Sequence, residues 1–375
     1  MPRIFLSPPH QNGHELELLQ EALHSNYLAP VGPMLDRLEH TMGLITGNSH
    51  CLAVNTGTAA LHLALRHLLD RMPRPDPRPP LLIGASLSFI ASVAPALHLG
   101  CEVWLCDVEP ESWTLDPIQL SRALTAARAE ERQILCVLPT DLYGQACDLE
   151  AVRGLCDPLG VPVVCDSAEA LGVRRNSPHP LAQIYSFNGN KIITCSGGGI
   201  LASGDADLIA HARKLSMQAR ENTVHYQHRE IGYNYRLSNL LAAVAVAQLE
   251  SLRDRVRRRR EIFGGYQERL SGVEGITFMP EASWNTCTRW LSVIRIDPRR
   301  FGKDREQVRL ALEAQDIESR PVWKPLHQQP VLQSLRRFGG QVSDQLYAEG
   351  LCLPSGSSLT DADLDRICEV ILQRS

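Results

Sequence analysis

Several features are rare or absent in the sequence, and their absence excludes classes of protein. No Cys-x-x-Cys pair occurs among the 11 cysteines, so a structural zinc site is not expected. No stretch approaches the roughly 18 apolar residues that cross a bilayer, and the opening segment MPRIFLSPPH lacks the apolar run of a signal peptide. We therefore expect a cytoplasmic protein whose thiols stay free in a reducing compartment.

The chain also lacks an excess of positive charge. Lys and Arg together number 38 against 42 Asp and Glu, which gives a formal net charge of -4. A chain with this balance gives no reason to expect nucleic acid or an acidic membrane as a partner. The basic run Arg257–Arg260 lies beside Asp254 and Glu261, so a solvated helix face is favoured over a nucleic-acid site.

Alternating strand and helix patterns fill residues 50 to 205 and predict βαβ units around a mostly parallel sheet flanked by helices. A long helix is predicted from about residue 237, followed by a smaller α/β region. The 375 residues suggest two domains, 1–245 and 246–375. The predicted strands lie at 51–54, 81–84, 102–107, 134–138, 161–165, 200–202 and 290–296, and the other predicted helices near 117–128, 149–158, 304–315 and 361–373.

The segment Asn55–Ala60 stands at the end of a predicted strand, where a helix opens. Such a turn offers backbone N–H groups and the positive end of the helix dipole to an anion. Gly57 allows a close approach of the backbone, and Thr56 or Thr58 can add a hydroxyl donor. The alternative is a plain helix cap, because Thr is a common N-cap residue.

Asp166 ends the apolar run that begins at 161. A carboxylate at the carboxyl end of a buried strand lies where open α/β sheets bind ligands, and it is costly there without a cationic partner. A protonated pyridine nitrogen would be such a partner. The alternative, a cap on a helix over Ala168–Leu171, has equal weight on this evidence alone.

Lys191 is the single charged residue in the stretch from Tyr185 to Gly199, between apolar strand residues and the bend Ser196–Gly199. A partly desolvated lysine can form a Schiff base, whereas most lysines are surface residues. Ser186 precedes it by five positions and can reach the same anion. Phe89 can stack on a planar ring, although a core aromatic is as good an interpretation.

Taken together, these residues supply what pyridoxal 5'-phosphate (PLP) needs: a phosphate cradle, a ring cover, a partner for the pyridine nitrogen and a Schiff-base lysine. They also occur in the order that a fold type I aminotransferase would place them. The joint order favours a PLP enzyme over the separate structural interpretations.

Several motifs carry a resemblance that runs nearly end to end. The chain resembles the DegT/DnrJ/EryC1/StrS family of sugar aminotransferases. Within the family it is most similar to enzymes that aminate C4 of UDP-linked 2-acetamido-4-keto-2,4,6-trideoxyhexoses. The family motifs are Ser7–His10, Asn26–Pro30, Gly57–Leu61, Ser186–Lys191 and Gly232–Asn239, and the narrower match rests on Gln218–Asn222, Arg289–Ser292, Arg320–His327 and Leu353–Gly356.

The resemblance implies roles for the residues already singled out. Lys191 would hold PLP and later move the proton, and Asp166 would pair with the pyridine nitrogen. Glu169 would lie beside the ring near its phenolic oxygen, and Phe89 would stack on it. The phosphate would be held by Gly57, Thr58 and Ser186.

The resemblance also implies partners. Asn234 would reach the phosphate from a second subunit, which makes the protein a homodimer with shared active sites. Tyr143, Arg320, Trp323 and His327 would contact the sugar nucleotide, although His327 could equally be a structural loop histidine. The amino donor would be an amino acid, with glutamate expected, and the product would be a 4-amino sugar for glycan biosynthesis.

Two departures from the family pattern bear on substrate choice. The stretch from Val173 to Tyr185 is shorter than its family counterpart, and Asp141 stands where the family more often has His. Two rival functions were weighed: a sugar dehydratase of the same fold, which would have histidine in place of Lys191, and a non-catalytic protein that binds PLP or a sugar nucleotide. A different keto-sugar nucleotide is a further alternative.

Overall fold

The computed structural model describes residues 2–73, 76–177 and 179–373. The helices are α1 (Glu15–His24), α2 (Pro33–Thr46), α3 (Gly57–Arg71), α4 (Ala94–His98), α5 (Pro117–Ala129), α6 (Leu149–Cys156), α7 (Ala206–Ser216), α8 (Asn239–Glu250), α9 (Leu252–Leu270), α10 (Pro298–Phe301), α11 (Arg305–Ala314), α12 (Gln341–Glu349) and α13 (Asp361–Leu372). The strands are β1 (His50–Val54), β2 (Leu81–Ala85), β3 (Glu102–Cys106), β4 (Ile134–Leu138), β5 (Val164–Asp166), β6 (Arg174–Arg175), β7 (Ala182–Ser186), β8 (Gly199–Ser203), β9 (Ile276–Phe278), β10 (Asn285–Thr286), β11 (Ser292–Ile296), β12 (Arg320–Pro321), β13 (Arg336–Phe338) and β14 (Gly350–Leu353).

A large sheet runs through the first two thirds of the chain. Its two halves have the strand orders β1-β8-β7-β5 and β13-β3-β2-β4. Parallel bridges from Val137 to Val163 and from Thr140 to Asp166 join them side by side. β8 runs antiparallel to both of its neighbours, and the other neighbouring strands are parallel. The predicted mostly parallel sheet is therefore confirmed.

The large sheet is buried on both faces, and this explains its continuous apolar strands. Successive residues of β2 point to opposite faces, as they must in a strand. Leu82 packs with residues of α3 and α7. Ile83 packs with residues of α5 and α6. The site-bearing ends of the strands are thus held between two helical layers.

The later part of the chain builds a second, antiparallel sheet of order β12-β14-β11-β9. Its core includes residues of α9, α11 and α13. β13, however, joins the large sheet beside β3. The domain division at residue 245 stays a prediction.

The prediction of a single long helix from residue 237 is wrong in one respect. Two helices, α8 and α9, occupy this stretch and meet at Ser251. There φ and ψ are -93° and 0°, and the Ser251 N–H bonds to the carbonyl of Gln248, which tightens the last turn. None of the described helices is both long and apolar enough to cross a bilayer.

Candidate active site

Asp166 lies at the carboxyl end of β5, as its position in the sequence predicted. Its Oδ2 accepts a hydrogen bond of 2.6 Å from the hydroxyl of Ser92, which is itself 2.6 Å from the hydroxyl of Ser88. Burial raises the pKa of the Asp166 carboxyl, and the bond from Ser92 opposes that shift. The site therefore holds a carboxyl that a nearby cation would stabilise.

The alternative interpretation of Asp166, a helix cap, agrees only partly with the structure. Its Oδ1 accepts a bond of 3.1 Å from the N–H of Ala168, as a cap would. The expected helix over Ala168–Leu171 is a turn instead. The carboxyl consequently orients a bend rather than the end of a helix.

The turn before α3 combines both interpretations offered by the sequence. Thr56 is the N-cap of α3, and its hydroxyl accepts from the N–H of Ala59 at 3.0 Å. Gly57 and Thr58 nevertheless line a cavity together with Ser186. A Cβ at Gly57 would lie 3.2 Å from the Cβ of Ser186, so a side chain there would crowd this corner.

Lys191 lies in the connection between β7 and β8, which run antiparallel and anchor both ends of it. Its side chain is 13% exposed, and its Nζ lies 3.6 Å from Oε1 of Glu169. The same Nζ lies 4.2 Å from the ring centroid of Trp290, which is within cation–π distance. The lysine nitrogen is thus held between a carboxylate and an aromatic face.

Glu169 is buried and has donors on both of its oxygens. Oε2 accepts from the N–H of Tyr143 at 2.9 Å, and Oε1 accepts from the indole N–H of Trp323 at 3.2 Å. Burial raises the pKa of Glu169, and the charge of Lys191 opposes this most strongly. Tyr143 has a φ of 52°, a strained value for a bulky residue that is compatible with a site built for function.

Two neighbouring cavities share the wall formed by Ser88, Phe89, Asn190 and Trp323. The smaller measures about 370 Å³ and the larger about 970 Å³. The smaller one is lined by every residue predicted to bind the cofactor except Asn234: Thr56, Gly57, Thr58, Phe89, Asp166, Glu169, Ser186 and Lys191. The sequence had placed these residues in one site, and the structure brings them together.

Three of the four residues predicted to bind substrate line the larger cavity. Tyr143 is buried there between Trp290 and Trp323, with ring centroids 6.4 and 6.3 Å away. Trp323 also approaches the ring of Phe89, with centroids 5.2 Å apart. Arg320 is exposed, and one of its nitrogens lies 2.9 Å from Glu318.

His327 lies outside the lining of both cavities, and its contact with substrate stays a prediction. Its Nδ1 lies 2.6 Å from the hydroxyl of Ser86, and its Nε2 lies 2.8 Å from Oδ1 of Asp344. The residue is 6% exposed, and both ring nitrogens are engaged. The structural-histidine alternative describes this position.

Asn234 is exposed and lies outside the lining of both cavities. No pattern in the sequence indicates a role for Ser92 or Trp290, which contact Asp166 and Lys191. Ser92 follows Phe89 by three positions, a signal too common to stand out. Trp290 lies in a motif that had been noted, but its contact with Lys191 depends on packing across about a hundred residues of chain.

The two departures from the family pattern meet in one place. Arg175, within the shortened stretch, contacts the buried carboxylate of Asp141. Oδ1 of Asp141 also accepts from the N–H of Cys147 at 2.9 Å. Asp141, Cys147 and Cys165 bring possible metal ligands within 4.8 Å of one another, but the guanidinium of Arg175 supplies the positive charge there. Pro178, in the same stretch, lies outside the described residues.

Comparison with known proteins decides the family. Residues 9–372 match the model of the DegT/DnrJ/EryC1/StrS aminotransferase family. The chain belongs to this family. EpsN of Bacillus subtilis (strain 168), provisionally named a pyridoxal phosphate-dependent aminotransferase, is 42% identical over 378 residues, covering 99% of this chain and 95% of that protein.

Other relatives extend the comparison. GDP-perosamine synthase of Caulobacter vibrioides is 30% identical over 378 residues, covering 100% of this chain and 98% of that protein. A solved DegT DnrJ EryC1 StrS aminotransferase from Brucella abortus is 26% identical with a TM-score of 0.85, covering 96% of this chain and 94% of that one. Helicobacter pylori PseC, at 20% identity and a TM-score of 0.88, covers 99% and 98% and shows the shared fold.

Members of the family are PLP-dependent sugar aminotransferases, so this chain is an enzyme of that class, with a keto-sugar and an amino donor as substrates. The smaller cavity fits the cofactor. It offers a helix N-terminus beside a glycine for the phosphate, a buried carboxyl for the ring nitrogen and an amine for the aldehyde. The hypothesis of a non-catalytic binding protein is set aside.

Proposed function

We propose that the enzyme moves the amino group of an amino acid, glutamate, to the C4 ketone of UDP-2-acetamido-4-keto-2,4,6-trideoxyhexose. The observation that carries this proposal is the place of Lys191. It lines the smaller cavity, and its Nζ lies against Trp290, which lines the larger one. A proton carrier at this junction can serve a cofactor on one side and a sugar on the other.

The chain's own residues would act as follows. Bound PLP supplies an electron sink for the carbon from which a proton is removed. Asp166, oriented by Ser92, holds the proton on the ring nitrogen. Gly57, Thr58 and Ser186 orient the phosphate. Lys191 would take the proton from the donor carbon and deliver it to the cofactor in the first half of the reaction, and in the second half it would move a proton from the cofactor to C4 of the sugar.

The shape of the larger cavity supports a sugar nucleotide as acceptor. A volume of about 970 Å³ is at the upper end for small-molecule sites. Trp290, Tyr143 and Trp323 give it an aromatic wall that suits the methyl groups of an acetamido-trideoxy sugar. Arg320 at its exposed edge, and Lys324 on its wall, suit a diphosphate.

A second candidate acceptor is a GDP-linked keto-sugar. The 30% identity to a GDP-perosamine synthase over nearly the whole chain favours this alternative. The UDP-sugar is preferred because the motifs Gln218–Asn222 and Arg320–His327 resemble those of the enzymes for UDP-linked sugars. The two candidates differ in the base, which makes them separable by experiment.

We also propose that two copies complete each other's sites through Asn234. This residue is exposed in the single chain, and its segment carries the exposed apolar side chains Val224, Tyr226 and Ile231. Exposed apolar side chains close in sequence are typical of a protein interface. The partner's Asn234 would then approach the phosphate corner at Gly57.

The test is a mass-spectrometric assay of the purified enzyme with PLP, glutamate and either keto-sugar nucleotide. Amination of the UDP-sugar together with 2-oxoglutarate is the expected result, and Lys191→Ala should form neither. Amination of the GDP-sugar alone would support the second candidate. If glutamate converts the cofactor but neither sugar is aminated, both acceptors are wrong.

A further inference from the structure

Glu169 is a carboxylate in the smaller cavity. Its hydrogen-bond and ion-pair partners indicate a role beyond a contact with the cofactor ring. We propose that Glu169 is the positioning residue and counter-ion of Lys191, and that Trp323 holds it in place. This inference rests on the proposed function, since it assigns a partner to the lysine that moves the proton. It concerns the chain's own residues and applies whenever the Lys191 amine is free.

The geometry connects the three side chains through one atom. Oε1 of Glu169 lies 3.6 Å from Nζ of Lys191 and 3.2 Å from the indole nitrogen of Trp323. The other oxygen accepts from the N–H of Tyr143 at 2.9 Å. Because both oxygens have fixed donors, the carboxylate cannot rotate freely, and it presents one defined oxygen to the lysine.

Trp323 is in turn held by Tyr143, whose N–H donates to the other oxygen of Glu169. Its backbone N–H donates to the phenol oxygen of Tyr143 at 2.8 Å. The rings of Trp323 and Tyr143 are close to parallel, at 18°. The aromatic wall of the larger cavity therefore supports the carboxylate that faces Lys191 in the smaller one.

The charges around Glu169 make Lys191 its decisive partner. The other ionisable groups that face it are the carboxyl of Asp166, the phenol of Tyr143 and the thiol of Cys352. None of these three carries a positive charge. Both Glu169 and Lys191 are largely withdrawn from water, at 6% and 13% side-chain exposure, and Lys191 supplies a positive charge close to the buried carboxylate.

The arrangement also couples the two cavities. Trp323 lines both of them, so an occupant of the larger cavity touches the same indole that orients Glu169. A shift of that indole would loosen the carboxylate and free the lysine from its counter-ion. The sugar would thereby influence the reactivity of the amine before any proton moves.

The test measures the reactivity of Lys191 directly. The full-length chain, freed of cofactor by treatment with hydroxylamine and then by dialysis, is treated with acetic anhydride over a range of pH, and acetylation of Lys191 is measured by mass spectrometry. A neighbouring carboxylate favours the unreactive ammonium form. At pH values below the plateau of the rate, Lys191 should therefore be acetylated at least about tenfold faster in Glu169→Gln than in wild type. Trp323→Phe, which loses the N–H donor, should shift the rate in the same direction by less.

A matched control is Glu15→Gln. Glu15 is also buried and accepts from Gln248, but no lysine is among its hydrogen-bond or ion-pair partners in the described part of the chain. Its variant should label Lys191 at the wild-type rate.

Equal labelling of wild type and Glu169→Gln at every pH would overturn the proposal. Faster labelling in Glu15→Gln as well would also overturn it, since the effect would then come from loosened packing. These outcomes are independent of the acceptor assay. An altered labelling rate without amination of either sugar would leave Glu169 in its role and remove the proposed substrate.

Discussion

The carboxyl of Asp166 takes its side-chain hydrogen bond from the hydroxyl of Ser92, at 2.6 Å, and forms no ion pair within the described residues. A hydroxyl offsets only part of the cost of burying a carboxylate. The charge of Lys191 also opposes the raised pKa of this carboxyl, and a bound cation would stabilise its charged form further. This relationship sets the first expectation.

Replacing Asp166 by Asn should stabilise the cofactor-free chain while abolishing turnover. The folded pKa of Asp166 is raised by burial, so the native state loses stability as pH rises above the unfolded value of about 4. The variant lacks that loss, so its free energy of unfolding should exceed that of wild type at neutral pH, and the difference should disappear near pH ~4. Urea unfolding at several pH values measures this, and a less stable variant at neutral pH would contradict it.

Gly57→Ala should weaken cofactor binding without harming the fold. The added Cβ would lie 3.2 Å from Ser186 and crowd the phosphate corner, which should raise the PLP dissociation constant by about 10- to 100-fold. Gly154→Ala in α6 is the control, because a Cβ there meets nothing within 4 Å. Gly154→Ala should gain about 0.5–1 kcal/mol of stability, whereas Gly57→Ala should gain less because its Cβ is crowded. Unchanged PLP affinity in Gly57→Ala would argue against the cradle.

His327→Ala should cost stability rather than substrate affinity. The change removes hydrogen bonds to Ser86 and Asp344 and should lower the unfolding free energy by about 1–3 kcal/mol. The KM for the acceptor should stay within about twofold, whereas Arg320→Ala should raise it by about tenfold or more. His225→Ala, at an exposed histidine, is the control for stability. A large rise in KM for His327→Ala would restore the substrate-binding prediction.

Two inactive variants should complement each other if the sites are shared between subunits. In a mixed dimer of Lys191→Ala and Asn234→Ala, one site has both native residues and the other has neither. Random exchange should therefore restore about one quarter of wild-type activity. Activity after mixing and subunit exchange is the measurement. No recovery from chains shown to exchange would place Asn234 in the site of its own subunit, or in none.

The sequence predicted the main sheet and most of the cofactor cavity because both depend on local signals. Buried strands are read from apolar runs, and Asp166 and Gly57 follow such runs directly. The roles of Ser92 and Trp290 were not predicted because their contacts join residues far apart in the chain. Packing alone determines such contacts. The contact of His327 with Asp344 was not predicted for the same reason, since the sequence of a loop does not show which side chain its histidine contacts. The break between α8 and α9 at Ser251 was not predicted because the helical spacing of apolar residues continues across it.

The strand β13 has a consequence for the modularity of the chain. It comes from the later part of the sequence, yet it covers the edge of β3, with Phe338 beside Trp104. Just beyond it, the N–H groups of Gly340 and Ser343 donate to the carboxylate of Asp107. A fragment that ended at residue 245 would expose an unpaired strand, and Asp107 would lose its donors from Gly340 and Ser343. The two parts of the chain are interleaved rather than joined end to end, so neither can be exchanged for a relative's counterpart without carrying this strand along.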